Sequence, residues 1–152
     1  MGKLKGYARA SNIMRINITF GGEQFQFNLA DELVVNENRI NSEIMEQPTS
    51  YAFLTTLLTK LIREKEEAEK NLEVQFSKVY NRYKEKLNEL TGRPYDKEYA
   101  HHIATANPSV VIKREIFIKA KHDVGIISSA VKSFEQRSFL IQTLSANIRK
   151  ER

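Results

Sequence analysis

Between Pro48 and Gly92 the chain runs for more than forty residues without a glycine or a proline. Within that run Leu54, Leu58, Leu61, Ala68, Leu72, Phe76, Val79, Tyr83, Leu87 and Leu90 recur at steps of three and four, or seven where Lys65 interrupts. That period belongs to one face of an α-helix. A single amphipathic helix over about 48–90 is expected, opened by Pro48 as a first-turn proline. Thr91-Gly92-Arg93-Pro94 would stop it, with a glycine where a left-handed cap belongs and a proline just beyond. At about 1.5 Å per residue such a helix reaches roughly 65 Å, so its apolar stripe needs an equally long partner.

The partner is legible downstream. Asp96 to Ala106 reads as a short connecting helix, and Asn107-Pro108 then supplies a cap and a first-turn proline for a second long helix over about 108–150. Its stripe is Ile116, Ala120, Val124, Ile127, Val131, Phe134, Ile141, Leu144 and Ile148, with Gly125 as the weak point. Two such helices predict an antiparallel hairpin. Phe117, Ile118, Ile126, Phe139 and Leu140 widen the stripe beyond what one partner covers, which points to self-association through this helix. Phe134, Arg137, Phe139, Ile141 and Leu144 are its expected oligomerisation residues.

Ahead of the helices, Met14 to Leu29 alternates apolar and polar residues on both sides of Gly21-Gly22, the pattern of a β-hairpin with a two-residue turn. The register pairs Phe20 with Glu23, Ile18 with Phe25, Ile16 with Phe27 and Met14 with Leu29. A lone hairpin is marginal in water, so a helix or another subunit must cover its apolar face. Ala30 to Glu46 reads as a short helical stretch. The expected fold is therefore mainly α, a long antiparallel helical hairpin assembling into an oligomer, with an N-terminal β-hairpin. Residues 1–29 form a basic arm plus hairpin, and residues 30–152 a helical domain.

At 152 residues there is room for one domain with appendages. The chain has no cysteine, which excludes disulfides, thiolate catalysis and cysteine zinc sites and accords with a reducing compartment. Neither a spanning apolar run nor a signal region is apparent, so the cytoplasm is expected, with no membrane partner. A net charge of +5 favours polyanionic partners. The cations are not evenly spread. Lys3, Lys5, Arg9 and Arg15 open the chain without an acid, whereas residues 16–48 carry six acids against the single base Arg39.

No phosphate loop, nucleophile elbow or cofactor motif occurs, and no catalytic residue or cofactor is expected. His101 and His102 point about 100° apart on a helix and could share an ion only with a distant ligand such as His122, so no metal site is assigned. A more informative cluster precedes the expected helix end. Lys78, Arg82 and Lys86 fall at steps of four along one face, flanked by Lys84 and Arg93. Such a row matches repeated phosphates, and Tyr80 and Tyr83 either offer rings for unstacked bases or belong to the core.

Three blocks resemble the phage recombination mediators of the UvsY type. The first runs from Leu29-Ala-Asp-Glu-Leu33 through Ile44 to Tyr51. The second is Lys84-Glu-Lys-Leu-Asn-Glu-Leu-Thr-Gly-Arg93, similar to that family's K-x-R-L followed by a helix-ending S-G-R. The third is Ala130-Val-Lys-Ser-Phe-Glu-Gln-Arg-Ser-Phe-Leu-Ile141, similar to its A-L-x-x-I-x-x-R-x-F-x-I. Together they span about residues 29–148, leaving residues 1–28 outside. The resemblance implies a ring-like homo-oligomer in the phage-infected cell that binds single-stranded DNA and helps a RecA-like recombinase replace a single-strand-binding protein. The family's basic pair falls on Lys84 and Lys86, with lysine at the second place where the family has arginine, which keeps charge and loses bidentate geometry.

The expectation is a non-enzymatic mediator that holds single-stranded DNA with Lys78, Arg82, Lys84, Lys86 and Arg93. The alternative is a structural helical hairpin, a phage scaffold or chaperone, in which the cations only solvate the surface. A nuclease built on Asp96, Glu98 and the histidines is a third reading.

Overall fold

The computed structural model describes residues 14–150. The basic arm therefore lies, apart from Arg15, outside the described residues. Strands β1 (Arg15–Phe20) and β2 (Glu23–Asn28) lead into a short helix α1 (Leu29–Leu33), a 3-10 turn (Glu37–Arg39), and the helices α2 (Ile40–Glu85), α3 (Lys97–Ala106) and α4 (Pro108–Lys150). The protein is mainly α with a small β part. Among the described residues no helix is long and apolar enough to cross a membrane. The chain divides into two compact units, Met1–Lys60 with Gly125–Arg152, and Leu61–Val124, with the boundaries inside the two long helices.

In the first unit, β1 and β2 pair antiparallel in the expected register, including Ile16↔Phe27, Ile18↔Phe25 and Phe20↔Glu23. Gly21 and Gly22 both take positive φ, +58° and +83°, as a tight two-residue hairpin turn demands. Ile16 and Ile18 bury their side chains. Phe25 meets Phe53 of α2 with ring centroids 5.8 Å apart, and the Lys60 ammonium sits 5.4 Å from the Phe20 ring centre. A helix thus covers the hairpin face, which a two-stranded sheet needs. Leu54, Leu57, Ile127, Ala130, Val131, Phe134 and Ile141 complete this core. Each large aliphatic side chain buried there contributes about 1.5–3 kcal/mol.

The helices run antiparallel here, Glu43 meeting Arg137 and Gln47 donating to the Phe134 carbonyl at 2.8 Å. Arg137 is buried. Its guanidinium donates to the Glu43 carboxylate, to Gln47 Oε1 and, at 3.2 Å, to the Val34 carbonyl. Tyr51 donates its hydroxyl to Glu135 at 2.9 Å, and that bond to a carboxylate holds the phenol above its ordinary pKa.

These contacts explain two departures from the expected boundaries. No separate helix spans Ala30 to Glu46, and α2 starts at Ile40, so Pro48 lies inside it rather than opening it. A proline there removes one backbone donor and costs helix stability. The buried bonds made by Glu43 and Gln47 offset that cost by tying the preceding turn to α4.

In the second unit, α2 and α4 are again antiparallel, since Gln75 Nε2 donates to Ser109 Oγ at 2.9 Å while Glu64 feels the charge of Asp123. Val79, Ala104 and Val110 form a buried cluster joined by Leu72, Phe76, Tyr80 and Tyr83. Asp96 caps α3 by accepting from the Tyr99 N–H at 2.7 Å, and Asn107 caps α4 through Ser109 N at 3.0 Å. Both short polar side chains satisfy amides that lack an intrahelical partner.

Candidate nucleic-acid interface

The end of α2 falls at Glu85, earlier than the glycine at 92. Beyond it Leu87 and Pro94 form an isolated antiparallel bridge, Asn88 N donates to Arg93 O at 2.8 Å, and Tyr95 N donates to Lys86 O at 3.4 Å. Gly92, at φ +64°, turns this small loop instead of capping the helix. Its amide and that of Thr91 both donate to the Asn88 carbonyl. Two corrections follow. Lys86 stands just beyond the helix and not on its regular face, although its amide still donates to Arg82 O at 3.2 Å. Leu87 and Leu90 are exposed and do not continue the apolar stripe.

Lys78, Arg82 and Lys84 project from the last two turns of α2, and all are exposed, as are Lys86 and Arg93. The ion pairs found among the described residues, Arg39–Glu46 and Arg137–Glu43, involve none of these five. The Lys84 ammonium lies 6.0 Å from the Tyr80 ring centre. Tyr80 itself stacks on Phe76 at 6.2 Å and, like Tyr83, packs on the buried cluster. Both tyrosines are thus half-buried against that cluster.

A second pair of rings stands at the loop, Tyr95 half-buried and Tyr99 exposed. Tyr95, just ahead of the α3 cap, and Tyr99, in its first turn, stack with centroids 4.7 Å apart and planes 17° from parallel. Asp96, between them in sequence, caps α3 by accepting from the Tyr99 amide. Tyr99 stays 43% exposed. Both rings line an open groove of about 990 Å³ together with Lys86, Arg93, Leu90 and Glu89. The Asp96 carboxylate, which accepts from the Tyr99 amide, is also at the groove. The loop thus joins Lys86 and Arg93, seven positions apart, to an aromatic pair that spacing from the basic row did not single out. The signal was present as two tyrosines four residues apart across a capped helix start.

An aromatic pair flanked by cations is chemically suited to unstacked bases on a phosphate backbone, because every base has a π-face and stacking tolerates sequence. Glu89 and Asp96 offset the charge of Lys86 and Arg93 among the groove's lining residues, and Lys78, Arg82 and Lys84 on the adjoining helix end add further cations.

The residues expected to mediate self-association separate into two sets. Phe134, Arg137 and Ile141 are buried within the first unit of a single chain, and Leu144 is half-buried. Phe139 remains 69% exposed, next to exposed Leu140. His101 packs edge-on against Phe76 at 5.3 Å, and among the described residues no group of three His, Asp or Glu side chains is placed to hold a metal ion. Compared with protein-family models, with curated proteins and with solved structures, the chain matches none.

Proposed function

We propose that this chain is a non-enzymatic protein that binds single-stranded DNA through the loop between α2 and α3 and the start of α3. The carrying observation is the stacked Tyr95–Tyr99 pair, with Tyr99 exposed, in one groove with Lys86 and Arg93. Exposed Lys78, Arg82 and Lys84 on the adjoining helix end extend the cationic surface, so a strand whose bases meet the tyrosines keeps its phosphates near lysine and arginine. The task that such binding serves, loading a RecA-like recombinase in place of a single-strand-binding protein, is supported by the three resembling sequence blocks. Repetition of the groove in a homo-oligomer, ring-like in the same family, raises a weak single-site affinity through effective concentration. Exposed Phe139 and Leu140 on α4 favour that self-association.

Fluorescence anisotropy with a labelled oligonucleotide at two salt concentrations tests the binding. The parent binds, more weakly at high salt. Tyr95→Ala/Tyr99→Ala loses roughly tenfold or more in affinity, since base stacking on an aromatic ring is worth about 1–3 kcal/mol per base. Undiminished binding by this variant would move the site elsewhere. A parent that self-associates yet ignores the oligonucleotide in dilute buffer selects the second reading, a structural assembly protein, which the exposed Phe139 and Leu140 also favour.

A further inference from the structure

The loop after α2 holds an apolar side chain out into water. Leu90 is 96% exposed, the most open of the large hydrophobic side chains among the described residues. A leucine alone on a surface is commonplace and by itself means nothing. This one differs in how its backbone is held. Asn88 ties the loop together: its Oδ1 accepts from the Leu90 amide at 2.9 Å, its carbonyl accepts from the Thr91 and Gly92 amides at 3.3 and 2.8 Å, and its own amide donates to the Arg93 carbonyl at 2.8 Å. A short amide side chain closing on the backbone two residues ahead fixes a turn without help from packing. Gly92, at φ +64°, lets the chain turn back behind Leu90, and the Leu87–Pro94 bridge closes the base of the loop. The backbone at Leu90 is thus positioned from both sides. Stability gains little from the side chain itself, because a leucine stabilises by leaving water and this one stays in it.

Its neighbours say what it meets. Leu90 lines the same groove as Tyr95, Tyr99, Lys86 and Arg93. We propose that, when single-stranded DNA occupies this groove, Leu90 enters the strand as a wedge and lies against the face of a base next to one carried by the tyrosines. This rests on the single-strand-binding reading and adds to it the residue that parts the bases. A base that moves onto a tyrosine ring gives up a neighbour in its own strand, and the neighbour's freed face is left in water. An aliphatic side chain in the same groove covers that face, as leucine does where proteins unstack a base step. Because the loop is fixed before the strand arrives, little loop ordering is lost on binding. Exposed Lys84, Lys86 and Arg93 flank Leu90 in sequence and suit the phosphates on either side of the parted bases. A hydrophobic pocket on a partner protein would take the leucine equally well, but it would have no use for the ring pair beside it.

Methyl NMR on the full chain titrated with oligo(dA), with fluorescence anisotropy on the same mixtures, tests this. The Leu90 methyl resonances, identified by their loss in Leu90→Ala, move upfield by several tenths of a part per million as the strand binds, because the ring current above a base face shields them. Those of Leu87, exposed but outside the groove lining, move far less. Leu90→Ala keeps the parent's unfolding midpoint, since the side chain it truncates is not packed, and weakens binding about fivefold, the scale of partly burying a leucine. Binding seen by anisotropy while the Leu90 methyls stay in place overturns the wedge and leaves the binding reading standing. Equal affinity of parent and Leu90→Ala does the same and would assign the leucine to a protein partner. A parent that binds no oligonucleotide in dilute buffer overturns both.

Discussion

Arg137 and Arg93 carry the same guanidinium and are put to opposite uses. In the first unit Arg137 is buried and donates from its two terminal nitrogens to Glu43, Gln47 and the Val34 carbonyl, whereas in the second Arg93 stands in an open groove and pairs with no carboxylate among the described residues. Glutamate follows the same division, Glu43 being tied to Arg137 and Glu89 left on the groove wall. The difference lies in hydration. A dehydrated charge must be met within the protein and becomes structure. A hydrated one costs little to leave unpaired and stays available to a polyanion. One helix, α2, supplies both ends of this contrast, with Glu43 and Gln47 near its start and Arg82 and Lys84 in its last turn.

The contrast breaks first at Arg137. Arg137→Ala leaves the largely covered Glu43 carboxylate without its cation, with only the Asn36 amide still donating to it, and is expected to cost about 3–5 kcal/mol in chemical denaturation, while Arg137→Met/Glu43→Leu, which removes both charges and keeps volume, costs far less. A single-variant loss within about 1 kcal/mol of zero would class the pair with surface ion pairs. The opposite behaviour is expected at the groove. Lys86→Ala/Arg93→Ala leaves the unfolding midpoint in place and lowers the slope of log affinity against log salt by about 0.7 per residue removed, the single-strand value. An unchanged slope would mean that neither cation meets a phosphate.

The smallest effect is at Glu64 in the second unit, which sits between the two cases. Partial burial raises its carboxyl above the ordinary value, Asp123 and Glu67 add to the rise, and Lys119 opposes it. A folded-state pKa above the unfolded one means that the favourable contribution is complete below the unfolded value and is lost as pH rises through the folded value. At neutral pH the charged Glu64 is thus mildly unfavourable. Glu64→Gln should raise stability by no more than about 0.5 kcal/mol at pH 7, because exposure screens the effect, and the gain should vanish on acidification below the carboxylate range. Thermal melts at the two pH values read it, and a loss of stability at neutral pH would contradict it.

Particular residues show why some of this was readable in advance. The pairing of Ile16 with Phe27 and Ile18 with Phe25 follows from a period of two and a glycine turn, both local properties, and the structure has that register. Asn107-Pro108 opens α4 for an equally local reason. Pro48 misled because its cost is local while the bonds of Glu43 and Gln47 that offset it join residues about ninety positions apart. Gly92 misled in a related way. A positive φ serves a loop turn as well as a helix cap, and the Leu87–Pro94 bridge decided between them. The tyrosines show the same division, since periodicity marks Tyr80 and Tyr83 as neighbours of the basic row but cannot say that they pack on the buried cluster while Tyr95 and Tyr99 stack on each other at the groove.

Sequence alone determined the class of elements, the hairpin register, the long amphipathic stripes and the concentration of cations near residues 78–93, because each is a matter of neighbours a few positions apart. Tertiary structure decided which guanidinium is dehydrated, which rings pack on the buried cluster and which on each other, and where α2 begins and ends. Those outcomes depend on which distant surfaces exclude water together, and no local period records that.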